Sequence, residues 1–138
     1  MANTVATIEI PTSPDQVWKV IGGFNSLPDW LPQIIRSSEL GEGGRVRRLE
    51  NIDGDVVVER LETFNEKERY YTYSIDQAPF PATHYEATLR VRENGGKGSL
   101  VEWSGKFTPV GVSDDEVINL FHGIYTDGLD ALKKVFQA

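Results

Sequence analysis

The chain has 138 residues, no cysteine, and a formal charge of −7 from 21 acidic and 14 basic side chains. That length fits one domain, 1–138, able to bury a core that needs no staples. Disulfides and cysteine-held zinc are excluded, and so acidic a surface argues against nonspecific binding to nucleic acid or anionic lipid.

Val5-Ala6-Thr7-Ile8-Glu9-Ile10 alternates apolar and polar residues and predicts a first strand. Ser13 then reads as an N-cap, with Pro14 at the first helical position and Gln16 completing a capping box. Val17, Trp18, Val20 and Ile21 give this helix an apolar side, and Gly22-Gly23 ends it. Residues 25–30 predict a second, short helical turn, limited by Pro32. Six strands follow, at 33–40, 44–51, 55–64, 69–76, 83–93 and 98–108. They are joined by acid-, glycine- and asparagine-rich turns, so they form an antiparallel meander. Ser113-Asp114-Asp115-Glu116 is a second capping box. Behind it Val117, Leu120, Phe121, Ile124, Gly128, Leu132 and Val135 recur at three- and four-residue spacing. That predicts an amphipathic helix of about 24 residues, ~36 Å long, enough to cross a curved sheet. The fold class is α+β.

No segment approaches ~18 apolar residues, so no membrane span is predicted. Met1-Ala2-Asn3-Thr4 has neither a basic region nor an apolar run, so no signal peptide is read, and a cytoplasmic location is expected. There is no P-loop, dinucleotide fingerprint or nucleophile elbow. Gly41-Glu42-Gly43-Gly44 and Gly95-Gly96-Lys97-Gly98 sit where hairpins turn and open no helix. His84 and His122 are far apart, without metal-ligand spacing, and both read as surface or rim residues. No metal and no cofactor is expected.

The hairpin from Gly44 to Leu61 carries the chemistry. Leu49 marks the inner face of its first strand and brings Arg47 with it. Val57 and Leu61 mark the inner face of the second and bring Glu59. A two-residue loop, Asp53-Gly54, would set Arg48 opposite Glu59 as a surface pair. A three-residue loop, Ile52-Asp53-Gly54, with Gly54 in the left-handed region, sets Arg47 opposite Glu59. Only the latter agrees with the apolar alternation, because a one-residue slip swaps the faces. Two charges on a covered face must pair or line a polar chamber.

The element order, with Trp18, Phe24-Asn25, Pro28-Asp29-Trp30, Gly44 to Leu49, Asp53-Gly54, Glu59-Arg60-Leu61, Tyr71 to Ile75 and Trp103, resembles the START-like, helix-grip superfamily. That group includes pollen allergens, polyketide cyclases/dehydrases, lipid-transfer domains and abscisic acid receptors. The polyketide cyclase/dehydrase and lipid-transport branch is the nearest in pattern. The resemblance implies a seven-stranded antiparallel sheet curved around the C-terminal helix, leaving an apolar cavity. It places the cavity arginine and glutamate of the hormone receptors and lachrymatory-factor synthase on Arg47 and Glu59. The receptors' pocket pattern falls on Tyr73, Ile75, Tyr85 and Ala87, and their closing loop on residues 78–82. The receptors' histidine-arginine-leucine latch is replaced here by Phe80-Pro81-Ala82, their carboxylate-binding lysine by Pro32, and their extended gate is shortened to Ile52–Gly54. Those departures argue against an abscisic-acid-type receptor.

Two functions follow. The first is a carrier or sensor that binds a small hydrophobic molecule of polyketide, lipid or aromatic kind. Its walls would be Leu31, Leu49, Leu61, Tyr73, Ile75, Phe80, Pro81, Tyr85, Ala87, Trp103, Leu120, Ile124 and Gly128, each of which could equally be core packing. The second is a cofactor-independent cyclase, dehydratase or isomerase. Glu59 would be the general acid/base, and Arg47, Tyr73 or Tyr85 would stabilise charge on a substrate oxygen. A purely structural Arg47–Glu59 pair is the alternative for those two residues, and another role, as a protein partner or chaperone-like part, is the third outcome. Sheet edges and exposed aromatics leave a homodimer open.

Overall fold

The computed structural model describes residues 2–137. In chain order the elements are β1 (Ala2–Ile10), α1 (Pro14–Ile21), α2 (Leu27–Trp30), β2 (Ile35–Gly41), β3 (Val46–Asn51), β4 (Val56–Asn65), β5 (Tyr70–Gln77), β6 (Ala82–Glu93), β7 (Ser99–Pro109) and α3 (Asp114–Val135). A 3₁₀ turn over Glu42–Gly44 joins β2 to β3. The strands form one seven-stranded sheet in the order β1-β7-β6-β5-β4-β3-β2. Every neighbouring pair is antiparallel. The predicted meander is therefore present, and β1 closes it by pairing with β7. The long helix packs against β1 and β7 and reaches α2. This is the helix-grip arrangement.

Local chemistry explains the helix ends. Gln16 N–H donates to Ser13 Oγ at 3.4 Å, and Glu116 N–H donates to Ser113 Oγ at 3.1 Å. In α3 three acids occupy the first turn and Lys133 and Lys134 the last, matching the helix dipole. Gly22 N–H caps α1 by donating to Trp18 O at 2.7 Å.

Three boundaries differ from the sequence reading. The first strand begins at Ala2, not Val5, because its register runs from Ala2 opposite Phe107 to Ile10 opposite Ser99. Small residues Ala2, Thr4 and Ala6 face inward under α3, and Val5 faces out at 51 % exposure. The second strand begins at Ile35, because the Ile34 and Ile35 N–H groups both turn back to Leu31 O. The long helix has 22 residues, and its buried face runs through Val117, Phe121, Tyr125, Gly128, Leu129 and Leu132. Leu120 and Val135 lie off that face, 37 % and 48 % exposed. No described helix is long and apolar enough to cross a membrane.

Candidate functional site

The hairpin turn is the three-residue form. Asn51 N–H donates to Asp55 O at 2.9 Å, and Gly54 N–H to Asn51 O at 3.0 Å. Gly54 has φ 89°, a left-handed conformation that glycine adopts without strain. Asn51 Oδ1 also accepts the N–H groups of Asp53 and Asp55, which tightens the loop. The register that follows sets Arg47 opposite Glu59.

The two side chains meet on the concave side of the sheet. Arg47 Nε donates to Glu59 Oε1 at 2.8 Å. Nη2 lies 2.7 Å from the same oxygen, too poorly aligned for a hydrogen bond, so that contact is Coulombic. Nη1 donates to the Phe24 carbonyl at 3.1 Å and to the Tyr71 hydroxyl at 3.2 Å. The guanidinium carbon stands 4.2 Å from the Phe24 ring centroid and 4.9 Å from that of Tyr73, within cation–π range of both. Arg47 is wholly buried, whereas Glu59 keeps 7 % exposure. Glu59 is thus the accessible half of the pair. No described residue hydrogen-bonds its Oε2.

Burial raises the pKa of the Glu59 carboxyl, and the charge and hydrogen bond of Arg47 pull it back only in part. Burial acts against the charge on Arg47, but Tyr71, Glu59 and Tyr73 more than offset it, so Arg47 stays protonated. Burial also raises the phenols of Tyr73, Tyr85 and Tyr125, which remain neutral hydroxyls.

A cavity of about 90 Å³ lies between the hairpin, β5–β7 and α3. Arg47 and Glu59 are the charged residues among its lining. Of the expected wall, Leu31, Leu49, Tyr73, Ile75 and Phe80 line it, as do Tyr85, Trp103, Ile124 and Gly128. Leu61, Pro81, Ala87 and Leu120 are not among the lining residues. Leu120 points away because Phe121, one residue on, takes the inner position against Phe107, Tyr85 and Phe80. Ala87 is buried within the sheet between Tyr73 and Gly105. Leu61 packs against the core as a partly buried residue.

The residues missed from sequence are Leu27, Ile34, Ile35, Val57, Phe121 and Tyr125. Phe121 lay on the predicted apolar stripe, and Val57 marked the inner face of its strand. Tyr125, four residues after Phe121, carried the same helical signal. Two hydroxyl contacts complete the site: Trp103 Nε1–H donates to Tyr73 OH at 2.9 Å, and the Tyr85 and Tyr125 hydroxyls bond each other. A second, more polar hollow of about 280 Å³ adjoins the first and shares Ile75, Phe80, Tyr85 and Phe121 with it. Trp30 is buried, donating to Ser26 Oγ at 3.2 Å and packing on Trp103. His84 is exposed, and the ring of His122 bonds Thr4 Oγ1 at 3.0 Å, outside the cavity.

Residues 1–137 match the family described as polyketide cyclase / dehydrase and lipid transport, and the chain belongs to that family. Among solved structures it is similar to the protein XoxI from Bacillus cereus, at 66 % identity and TM-score 0.94, covering 99 % of this chain and 96 % of that one. It is also similar to an uncharacterized protein from Bacillus thuringiensis, at 62 % identity and TM-score 0.96, covering 99 % and 100 %. A Thermobifida fusca protein shares 25 % identity with a TM-score of 0.85, covering 99 % and 93 %. No curated protein matches the chain significantly. Membership of this family suggests binding of a hydrophobic ligand.

Proposed function

We propose that this protein binds a small, mostly apolar molecule in the cavity between the sheet and α3, as a carrier or sensor. The observation that carries the reading is the placing of one neutralised ion pair in an otherwise aromatic and aliphatic chamber. A filled core gains nothing from such a pair, because desolvating two charges offsets their attraction. A ligand pocket has a use for it, since a few convergent polar groups orient a guest held by apolar walls. About 90 Å³ is below the roughly 150 Å³ that admits benzene and the roughly 300–1,000 Å³ of drug-sized pockets, so a single-ring guest would extend into the adjoining hollow of about 280 Å³. The adjoining hollow behind Phe80 supports a route of access from solvent.

Native mass spectrometry of protein purified from cells, followed by amide NMR titration with single-ring aromatic probes, tests this. Saturable shifts should centre on Tyr73, Trp103 and Ile124, and Ile124→Trp should abolish them by filling the space. A protein that carries no small molecule and responds to no probe sinks the reading.

One observation favours a second reading, proton-transfer catalysis of the cyclase, dehydratase or isomerase kind. Glu59 combines a raised pKa with an oxygen unclaimed by described residues, beside neutral phenols suited to a developing oxyanion. Arg47, spent on Glu59, Phe24 and Tyr71, would act there as a positioning residue. Glu59→Gln would then abolish turnover while binding persists.

A further inference from the structure

We infer that the cavity selects an uncharged molecule bearing two oxygens, a hydroxyl that donates to Glu59 and a carbonyl that accepts from the tyrosine hydroxyls, and that it rejects carboxylates such as free fatty acids. The inference deepens the binding function proposed above and rests on it. Arg47 and Glu59 are the charged lining residues, and they cancel each other at 2.7–2.8 Å. The guanidinium is wholly buried, its charge is met by Glu59, and Nε and Nη1 are committed to Glu59, Phe24 and Tyr71. Its Nη2 makes no hydrogen bond but stands 2.7 Å from Glu59 Oε1, so an anion that reached it would also meet the Glu59 carboxylate. An anion entering here would lose its hydration beside Glu59 with nothing of opposite charge to meet it.

Neutral oxygens fare better. A carboxylate oxygen only accepts, and both Arg47 contacts fall on Oε1, which leaves Oε2 for a ligand hydroxyl. Each tyrosine hydroxyl has one proton to give. Tyr73 accepts from Trp103, so its own proton is uncommitted among the described residues. Tyr85 and Tyr125 share one bond, which uses one of their two protons and leaves the other. Apart from Arg47 Nη2, which faces Glu59, the chamber thus holds one free acceptor and two free neutral donors within apolar walls.

A matched set of single-ring probes tests this by calorimetry or amide NMR near pH 6.5: 4-hydroxyacetophenone, 4-methylacetophenone, 4-ethyltoluene and 4-hydroxybenzoate. On the native chain 4-hydroxyacetophenone should bind about tenfold tighter than 4-ethyltoluene and at least about tenfold tighter than 4-hydroxybenzoate. Glu59→Gln strips Arg47 of its counter-charge, so it should narrow or reverse the preference against 4-hydroxybenzoate. Tyr85→Phe/Tyr125→Phe keeps the ion pair and should remove the advantage of 4-methylacetophenone over 4-ethyltoluene; this variant serves also if Glu59→Gln fails to fold. Equal binding of all four probes, or 4-hydroxybenzoate binding as well as the neutral hydroxyketone, overturns the inference and leaves the apolar-binding function standing. Binding of none overturns both.

Discussion

Removing the Arg47 guanidinium would leave the Glu59 carboxylate in a dry site with no counter-charge. Arg47→Leu should therefore cost about 3–5 kcal/mol in urea unfolding, the usual penalty for breaking a buried pair from one side. Removing both charges, as Arg47→Leu with Glu59→Leu, should recover most of that loss, since apolar replacement of a whole buried pair is often neutral. A double variant as unstable as the single one would show that the Phe24 and Tyr71 contacts of Arg47, rather than its charge, hold the hairpin. The pH dependence has a definite sign. Glu59 has a raised pKa in the fold, so the folded state holds its proton more tightly than the unfolded chain, whose value is near 4.5. Its contribution to stability is complete below 4.5 and is lost as pH rises through the higher folded value. Glu59→Gln has no such proton. The stability of the native chain minus that of Glu59→Gln should fall as pH rises above about 4.5; a rise would mean that Arg47 holds the carboxyl below its ordinary value.

Two glycines of α3 make opposite predictions from one substitution. A Cβ on Gly128 would stand 2.5 Å from Trp103 Cζ3, while one on Gly123 would meet nothing within 4 Å. Alanine favours a helix over glycine by up to ~1 kcal/mol, so Gly123→Ala should stabilise the protein by roughly that amount. At Gly128 overpacking of about 1–3 kcal/mol opposes and outweighs that gain, and the thermal midpoint should drop. Trp103 stacks on Tyr125 and bonds Tyr73, so its fluorescence should change in Gly128→Ala and stay constant in Gly123→Ala. The same helix marks how far sequence carries. Its existence and cap were legible, and its length to within about two residues, because Ser113 and the apolar period are local signals. Its rotation was legible only to within one residue: Leu120 and Phe121 both fit the stripe, and β7 and β6 selected Phe121 through Phe107 and Tyr85. The hairpin register was legible because alternation and the turn at Gly54 agreed. The partners that fix Arg47 were not, since Phe24 and Tyr71 lie 23 and 24 residues away and reach it only through the fold.

The aromatic core runs without a break from α1 to α3. Trp18 packs on Tyr71 at 6.4 Å, Tyr71 on Tyr73 at 6.0 Å, Tyr73 on Tyr85 at 6.0 Å, and Tyr85 on Phe121 at 4.9 Å. Trp30 and Trp103 join the same cluster 5.9 Å apart. The sheet has no internal break at which one half could melt alone, because each strand from β2 to β7 pairs with its chain neighbour and β1 pairs with β7. Unfolding should therefore be a single cooperative step. Tryptophan fluorescence, which reads both ends of the core, and far-UV ellipticity, which reads sheet and helix, should give coincident urea transitions. A cavity ligand binds only where sheet and α3 are docked, so it should shift both transitions together, by ~2.7 kcal/mol at a hundred times its Kd. Fluorescence moving ahead of ellipticity would mean that α3 can leave the sheet before the sheet unfolds. A ligand should then stabilise the early phase alone, which places the loss of the cavity at that first step.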